Sequence, residues 1–182
     1  MSTSTEVKIS SKPKKVVKSV AKEILNLTLQ SPQPRFDIAL SGGSTPKKLY
    51  KILAEKFADS IPWERIHFWW GDERCVPPES NDSNFKLAND YLFSHVAAPK
   101  ENIHRIKGEN DPEEESVRYT YEIKENLNYR GENPVFDLVL LGLGEDGHTA
   151  SIFPDQLDLF EEESICAVTS HPITGLPRLT LT

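Results

Sequence analysis

The chain has 182 residues, 37% of them hydrophobic and 27% charged, with a formal net charge of −7. That length suits one domain with a substantial core, and the acidic balance argues against general nucleic-acid binding, which needs clustered Lys and Arg to displace counterions. No apolar N-terminal stretch resembles a signal peptide or membrane span, and Cys75 and Cys166 form no CxxC pair, so the chain reads as cytosolic with reduced thiols.

From Pro13 to about Leu29 the residues Val16, Val17, Val20, Ala21, Ile24 and Leu25 recur at intervals of three and four, the stripe of an amphipathic helix with Pro13 in its first turn. Lys12, Lys14, Lys15, Lys18 and Lys22 then fall on its solvated face. "RFDIAL" is a short apolar run that predicts a strand, and "PKKLYKILAEKF" returns to helical spacing. "RIHFWWGDE" predicts a second strand, "SNFKLANDYLFSHV" a helix, and "DPEEESVRYTYEIKENL" another whose acidic start suits a helix N-terminus. "FDLVLLGLG" predicts a further strand, with "SICAVTS" and "PRLTLT" as weaker candidates. Alternating strands and helices of these lengths predict an α/β fold: a Rossmann-like, mainly parallel sheet with helices on both faces.

Ligands of open parallel sheets bind beyond the carboxyl ends of the strands. Three segments at such ends are polar or glycine-rich. In "SGGSTP", Gly42 and Gly43 let backbone approach a ligand, while the Ser44 and Thr45 hydroxyls, free amides and a helix dipole offer a seat for an anion, with Pro46 expected at the first helical position. In "GDER", Asp72 and Glu73 precede Arg74, a candidate clamp for a phosphate or an oxyanion. In "LGLGEDGH", Gly142, Gly144 and Gly147 match G-x-G-x-x-G, but Pro154 interrupts the helix a dinucleotide site needs and "SICAVTS" ends without the required carboxylate. His148 beside Asp146 fits proton transfer near neutral pH better. The five histidines show no metal-ligand spacing, and Cys75 reads as a half-buried strand-end residue.

Taken together and in order, "LSGGSTPKKLY", "WGDERCVP" with Ser83-Asn84, "FDLVLLGLGEDGHTASIFP" and "PRLTLT" resemble the 6-phosphogluconolactonase family. The related glucosamine-6-phosphate deaminases share the layout but carry DEY and DGHIAFNEP where this chain has DER and DGHTASIFP. The resemblance implies a sheet of the sugar-phosphate isomerase and deaminase type, and hydrolysis of 6-phospho-D-glucono-1,5-lactone to 6-phosphogluconate in the pentose phosphate pathway, without metal or organic cofactor. It also implies that Gly42, Gly43, Ser44 and Thr45 line the pocket, that Arg74 and Arg178 are cationic partners of the sugar phosphate, and that His148 is the general base. Asp146 or Asp72 would orient His148, and Arg74 or backbone amides would stabilise the oxyanion. The alternatives are a deaminase or isomerase using Asp72 as its base, and a non-catalytic sugar-phosphate sensor.

The shared-site reading requires Ser41, Asp72 and His148 to meet at one edge of the sheet. "PRLTLT" alternates Leu179 and Leu181 with Thr180 and Thr182 up to the final residue. Residues 1–182 are therefore expected to be a single domain truncated at its C-terminus, with an apolar strand face left uncovered.

Overall fold

The computed structural model describes residues 5–182. In chain order it contains α1 (Pro13–Gln30), β1 (Phe36–Leu40), α2 (Ser44–Phe57), β2 (Ile66–Trp70), β3 (Asp72–Arg74), α3 (Asn84–Tyr91), α4 (Pro112–Asn126), β4 (Asn128–Arg130), β5 (Asn133–Val135), β6 (Leu138–Val139), β7 (Cys166–Ser170) and β8 (Pro177–Leu181), joined by short 3-10 turns. Strands β2, β1 and β6 lie side by side, all parallel. Among the described residues no helix is long and apolar enough to cross a membrane.

Both faces of this parallel sheet are covered. Phe36, Ile38 and Leu40 on β1 face Ile24 of α1 and Leu53 of α2 across a residual gap of about 10 Å³. On the opposite face Trp69 packs against Tyr119 of α4, with ring centroids 6.0 Å apart. Trp69, Trp70, Tyr50 and Tyr119 are all fully buried, and each large apolar side chain withdrawn from water contributes about 1.5–3 kcal/mol. The carboxylate of Asp37, buried near the start of β1, accepts hydrogen bonds from Arg35 Nε at 2.8 Å and Trp69 Nε1 at 2.8 Å, so this strand carries a charge without leaving it unpaired.

The expected helices α1 and α4 lie where spacing put them, and the lysines of α1 face solvent. At α4 the side chain of Asp111 accepts from the backbone amides of Glu113 and Glu114, with three glutamates in the first turn. Other elements differ from expectation. Helix α2 starts two residues early, so Ser44 and Thr45, rather than Pro46, open it. Helix α3 ends at Tyr91 and its last expected turn is 3-10. The "FDLVLLGLG" strand shrinks to Leu138–Val139, flanked by bonds from the Asp137 amide to the Asp37 carbonyl and from the Leu140 amide to the Ala39 carbonyl.

The sheet is also less uniformly parallel than the alternation of elements suggests. After Gly71 the chain continues as β3, so "DER" is strand rather than loop, and β3, β8 and β7 form an antiparallel sheet. A turn at 171–176, not a helix, links β7 to β8, and a link that short permits only a hairpin. Strand β8 is not half-buried by alternation either, since Leu179 and Thr180 are both fully buried. Leu181 at its end lines an open groove together with Val139 and Leu141, which are exposed beside the short β6.

Candidate active site

The carboxyl ends of β1 and β6 and the kinked continuation of β2 open on a cavity of about 410 Å³, within the range typical of small-ligand sites. Ser41, Asp72 and His148 all line it, as do Gly42, Gly43, Ser44, Thr45, Arg74 and Arg178. Asp146 does not line the cavity but contacts His148 from outside it. The sheet thus brings together residues far apart in sequence.

Residues 41–45, a short loop running into the first turn of α2, form one wall. Gly43 is the N-cap with φ 100, a left-handed conformation that disfavours any side chain, and it receives no side-chain cap. Neither Ser44 nor Thr45 caps the helix; they are its first two residues, where backbone amides have no partner inside the helix. Pro46 contributes no amide. The loop is anchored from below by the hydroxyl of Tyr50, which donates to the Ser41 carbonyl at 2.6 Å. Gly42 lies against Asn84, whose carboxamide occupies the space a Cβ would need.

Strand β3 supplies the floor. Asp72, 4% exposed, accepts from Asn84 Nδ2 at 3.2 Å and from the Ser151 hydroxyl at 2.7 Å. Asn84 Nδ2 also donates to the Asp72 carbonyl at 2.9 Å. Glu73 turns the other way and accepts from the amides of Arg74, Asn84 and Phe85 and from the Ser83 hydroxyl, all within 3.1 Å. Burial raises its carboxyl above the usual range, against the opposing pull of those hydrogen bonds. Glu73 therefore fixes the start of α3 against β3 and takes no part in lining the cavity.

Antiparallel register puts Arg178 on β8 directly opposite Arg74 on β3. The Nε atoms of both are buried without a hydrogen-bond partner. Arg74 Nη1 donates to the Asp82 carbonyl at 2.6 Å, and Arg178 Nη1 reaches the Ser151 hydroxyl at 3.4 Å while its guanidinium lies over the Phe153 ring. Burial, then the charge of Arg74, lowers the Arg178 pKa from its ordinary value, and Asp72 opposes both. Two guanidiniums with unused donors beside the amides of Ser44 and Thr45 make a concentrated seat for an anion.

The third wall is the glycine loop. His148 Nδ1 lies 2.6 Å from Asp146 Oδ1, and the His148 amide donates to the same oxygen at 3.3 Å. The contact holds the Asp146 carboxyl below the usual range, and because a carboxylate only accepts, Nδ1 is the donor of that bond. The ring rests over Gly144, where a Cβ would strike both the imidazole and Asp146. It also packs against Phe153, with centroids 4.9 Å apart. Gly147 at φ 94 and Ala150 at φ 49 turn the chain so that Ser151 drops beneath Asp72. A left-handed alanine is uncommon.

Cys75, half-buried at the end of β3, has its thiol pushed up to about 11 by burial and by Glu73, which makes it a poor nucleophile. Among the described residues no group of three or more His, Cys, Asp or Glu is arranged to hold a metal ion. Reading by residue type missed two contributors. Ser151 lies within the conspicuous loop, but a serine there carries no distinguishing signal. Thr180, whose hydroxyl oxygen accepts from the Ser151 amide at 3.3 Å, looks like any strand threonine.

A family model described as glucosamine-6-phosphate isomerases/6-phosphogluconolactonase matches residues 11–182. The chain is 47% identical over 146 residues to the 6-phosphogluconolactonase of Haemophilus influenzae, covering 80% of this chain and 61% of that protein. It is 41% identical over 145 residues to that of Treponema pallidum, covering 80% of this chain and 60% of that protein. The chain thus spans about three-fifths of the length of the curated relatives it matches. The solved structure of 6-phosphogluconolactonase from Trypanosoma brucei superposes with a TM-score of 0.87 at 30% identity, covering 96% of this chain and 75% of that one. On its motifs, its fold and the match to almost its whole length, the chain belongs to the glucosamine-6-phosphate isomerase/6-phosphogluconolactonase family.

Proposed function

We propose that this chain carries the catalytic site of a cytosolic 6-phosphogluconolactonase that hydrolyses 6-phospho-D-glucono-1,5-lactone to 6-phosphogluconate in the pentose phosphate pathway. One observation carries the reading: His148, backed by Asp146 from outside, lines the same cavity as the opposed Arg74 and Arg178 and the open amides of α2. His148 Nε2 takes a proton from water as the oxygen attacks C1 of the lactone. The imidazolium then returns the proton to the ring oxygen as the C1–O bond breaks, so one group serves both steps. Arg178, Arg74 and the Ser44 and Thr45 amides hold the phosphate, and Arg74 or backbone amides offset charge on the tetrahedral oxygen. The 2.6 Å contact supports Asp146 as the group that orients His148; Asp72 is engaged by Ser151 and Asn84.

That engagement also weighs against the deaminase alternative, in which Asp72 would need an open carboxylate to move a proton beside a carbonyl. The experiment offers the chain 6-phosphogluconolactone against its spontaneous hydrolysis, and glucosamine 6-phosphate in parallel with ammonia detection. Faster lactone opening with no ammonia is expected. Ammonia release would favour the deaminase, and tight product binding without acceleration would favour a sensor.

A further inference from the structure

We infer that Ser151 is a positioning residue for phosphate recognition, holding Arg178 at the cavity through Asp72. The inference rests on the phosphate role proposed for Arg178. Ser151 is fully buried, and its hydroxyl is the link between the two charged groups. It donates its single proton to Asp72 Oδ2 at 2.7 Å, so only lone pairs remain to face Arg178 Nη1 at 3.4 Å. Asp72 is itself fixed from the other side by Asn84 Nδ2, at 3.2 Å from Oδ1. The backbone of Ser151 is tied to β8 through the Thr180 hydroxyl at 3.3 Å, two residues from Arg178 on the same strand. The link is therefore clamped at each end and cannot drift from the arginine.

The need for such a clamp follows from electrostatics. Strand register forces Arg178 beside Arg74, an arrangement both side chains would relax by swinging apart toward water. The Arg178 Nε is buried without a partner, and its ring contact is with Phe153, which offers no hydrogen-bond acceptor oxygen. Ser151 is the acceptor that keeps the Arg178 guanidinium turned inward, with the Asp72 charge one hydroxyl away to offset the second cation. Phosphate then accepts from the guanidinium donors that Ser151 leaves open.

The test compares Ser151→Ala and Ser151→Thr with the parent chain, using calorimetric titration with 6-phosphogluconate and with gluconate, and kinetics on the phosphorylated and unphosphorylated lactones. Loss of a hydrogen bond to a charged group is worth roughly a tenfold change. Ser151→Ala is expected to weaken 6-phosphogluconate binding and raise KM for the phosphorylated lactone by about that factor, with kcat little changed and the unphosphorylated compounds unaffected. Ser151→Thr, which keeps the hydroxyl, is expected to restore binding. Should Ser151→Ala fail to fold, Ser151→Cys fills the site with a slightly larger thiol that is only a weak donor and acceptor and is expected to show the same phosphate-selective loss. Equal losses on phosphorylated and unphosphorylated ligands, or no loss in any variant, overturn the assignment. A parent chain that binds 6-phosphogluconate without hydrolysing the lactone would defeat the proposed activity, while the titrations would still decide the role of Ser151. A parent chain that binds no sugar phosphate overturns both.

Discussion

Replacing Gly42 by Ala puts a methyl group where the Asn84 carboxamide lies, overlapping its Oδ1 and Cγ and coming within 2.8 Å of Nδ2. Gly42 is not at a positive φ, so its backbone accepts an L residue and the whole cost comes from the collision. Asn84 is buried and must give up its bonds to the Asp72 carbonyl and carboxylate. A neutral hydrogen bond is worth about 1 kcal/mol and one to a charged group about 1.5–3 kcal/mol, so Gly42→Ala costs about 2.5–4 kcal/mol. At about 2–4 °C per kcal/mol for a chain of this size, Tm falls by about 5–16 °C. Asn84→Ala loses the same bonds but leaves room for the methyl, so the double variant is expected to resemble Asn84→Ala alone. Denaturant unfolding of the four proteins then gives a coupling energy between the two sites equal to the Gly42→Ala cost, about 2.5–4 kcal/mol. Strict additivity, or a Gly42→Ala protein as stable as the parent, would refute the reasoning.

Arg178→Ala and Arg74→Ala are each expected to weaken 6-phosphogluconate binding by about 10–100-fold, the worth of a charge-assisted hydrogen bond, with the effect read by titration; a change in kcat alone would instead assign a transition-state role. Glu73→Ala strands the Ser83 hydroxyl and three amides that Glu73 now accepts, so a stability loss of about 3 kcal/mol is expected in urea melts, and an unchanged midpoint would contradict it. His67 is held down to about 4 from 6.5 by burial and then by Arg35. The unfolded chain thus binds the His67 proton more readily than the folded one across that window, and stability falls as pH drops from about 6.5 to about 4. His67→Gln is expected to flatten that part of the stability curve relative to the parent, and identical curves would count against the depressed value.

Long helices were legible because periodicity and start signals agreed: Pro13 and the stripe to Leu25 for α1, Asp111-Pro112 and the glutamates for α4. The site loops were legible because glycines, hydroxyls and His148 are residue types whose chemistry shows without context. What stayed hidden depends on partners distant in the chain. Strand β3 has three residues and no period, and its register with β8, which opposes Arg74 to Arg178, is set by pairing across about a hundred residues. Strand β6 looked longer because apolar content marks a strand without telling how far its partner will stay in register with it. Thr180 is buried on a face that alternation assigned to solvent, because the Ser151 loop covers it. Asp72 and Asp146 read alike as partners for His148, and only the folded chain shows that His148 contacts Asp146 while Asp72 is taken by Ser151.

The most direct measurement is the turnover of 6-phosphogluconolactone by the His148→Ala variant, corrected for spontaneous hydrolysis and paired with a titration of 6-phosphogluconate. Loss of a general acid-base group is expected to lower kcat by about two to four orders of magnitude, with product affinity near that of the parent. A His148→Ala protein that turns over as fast as the parent would contradict the assignment of His148 as the base.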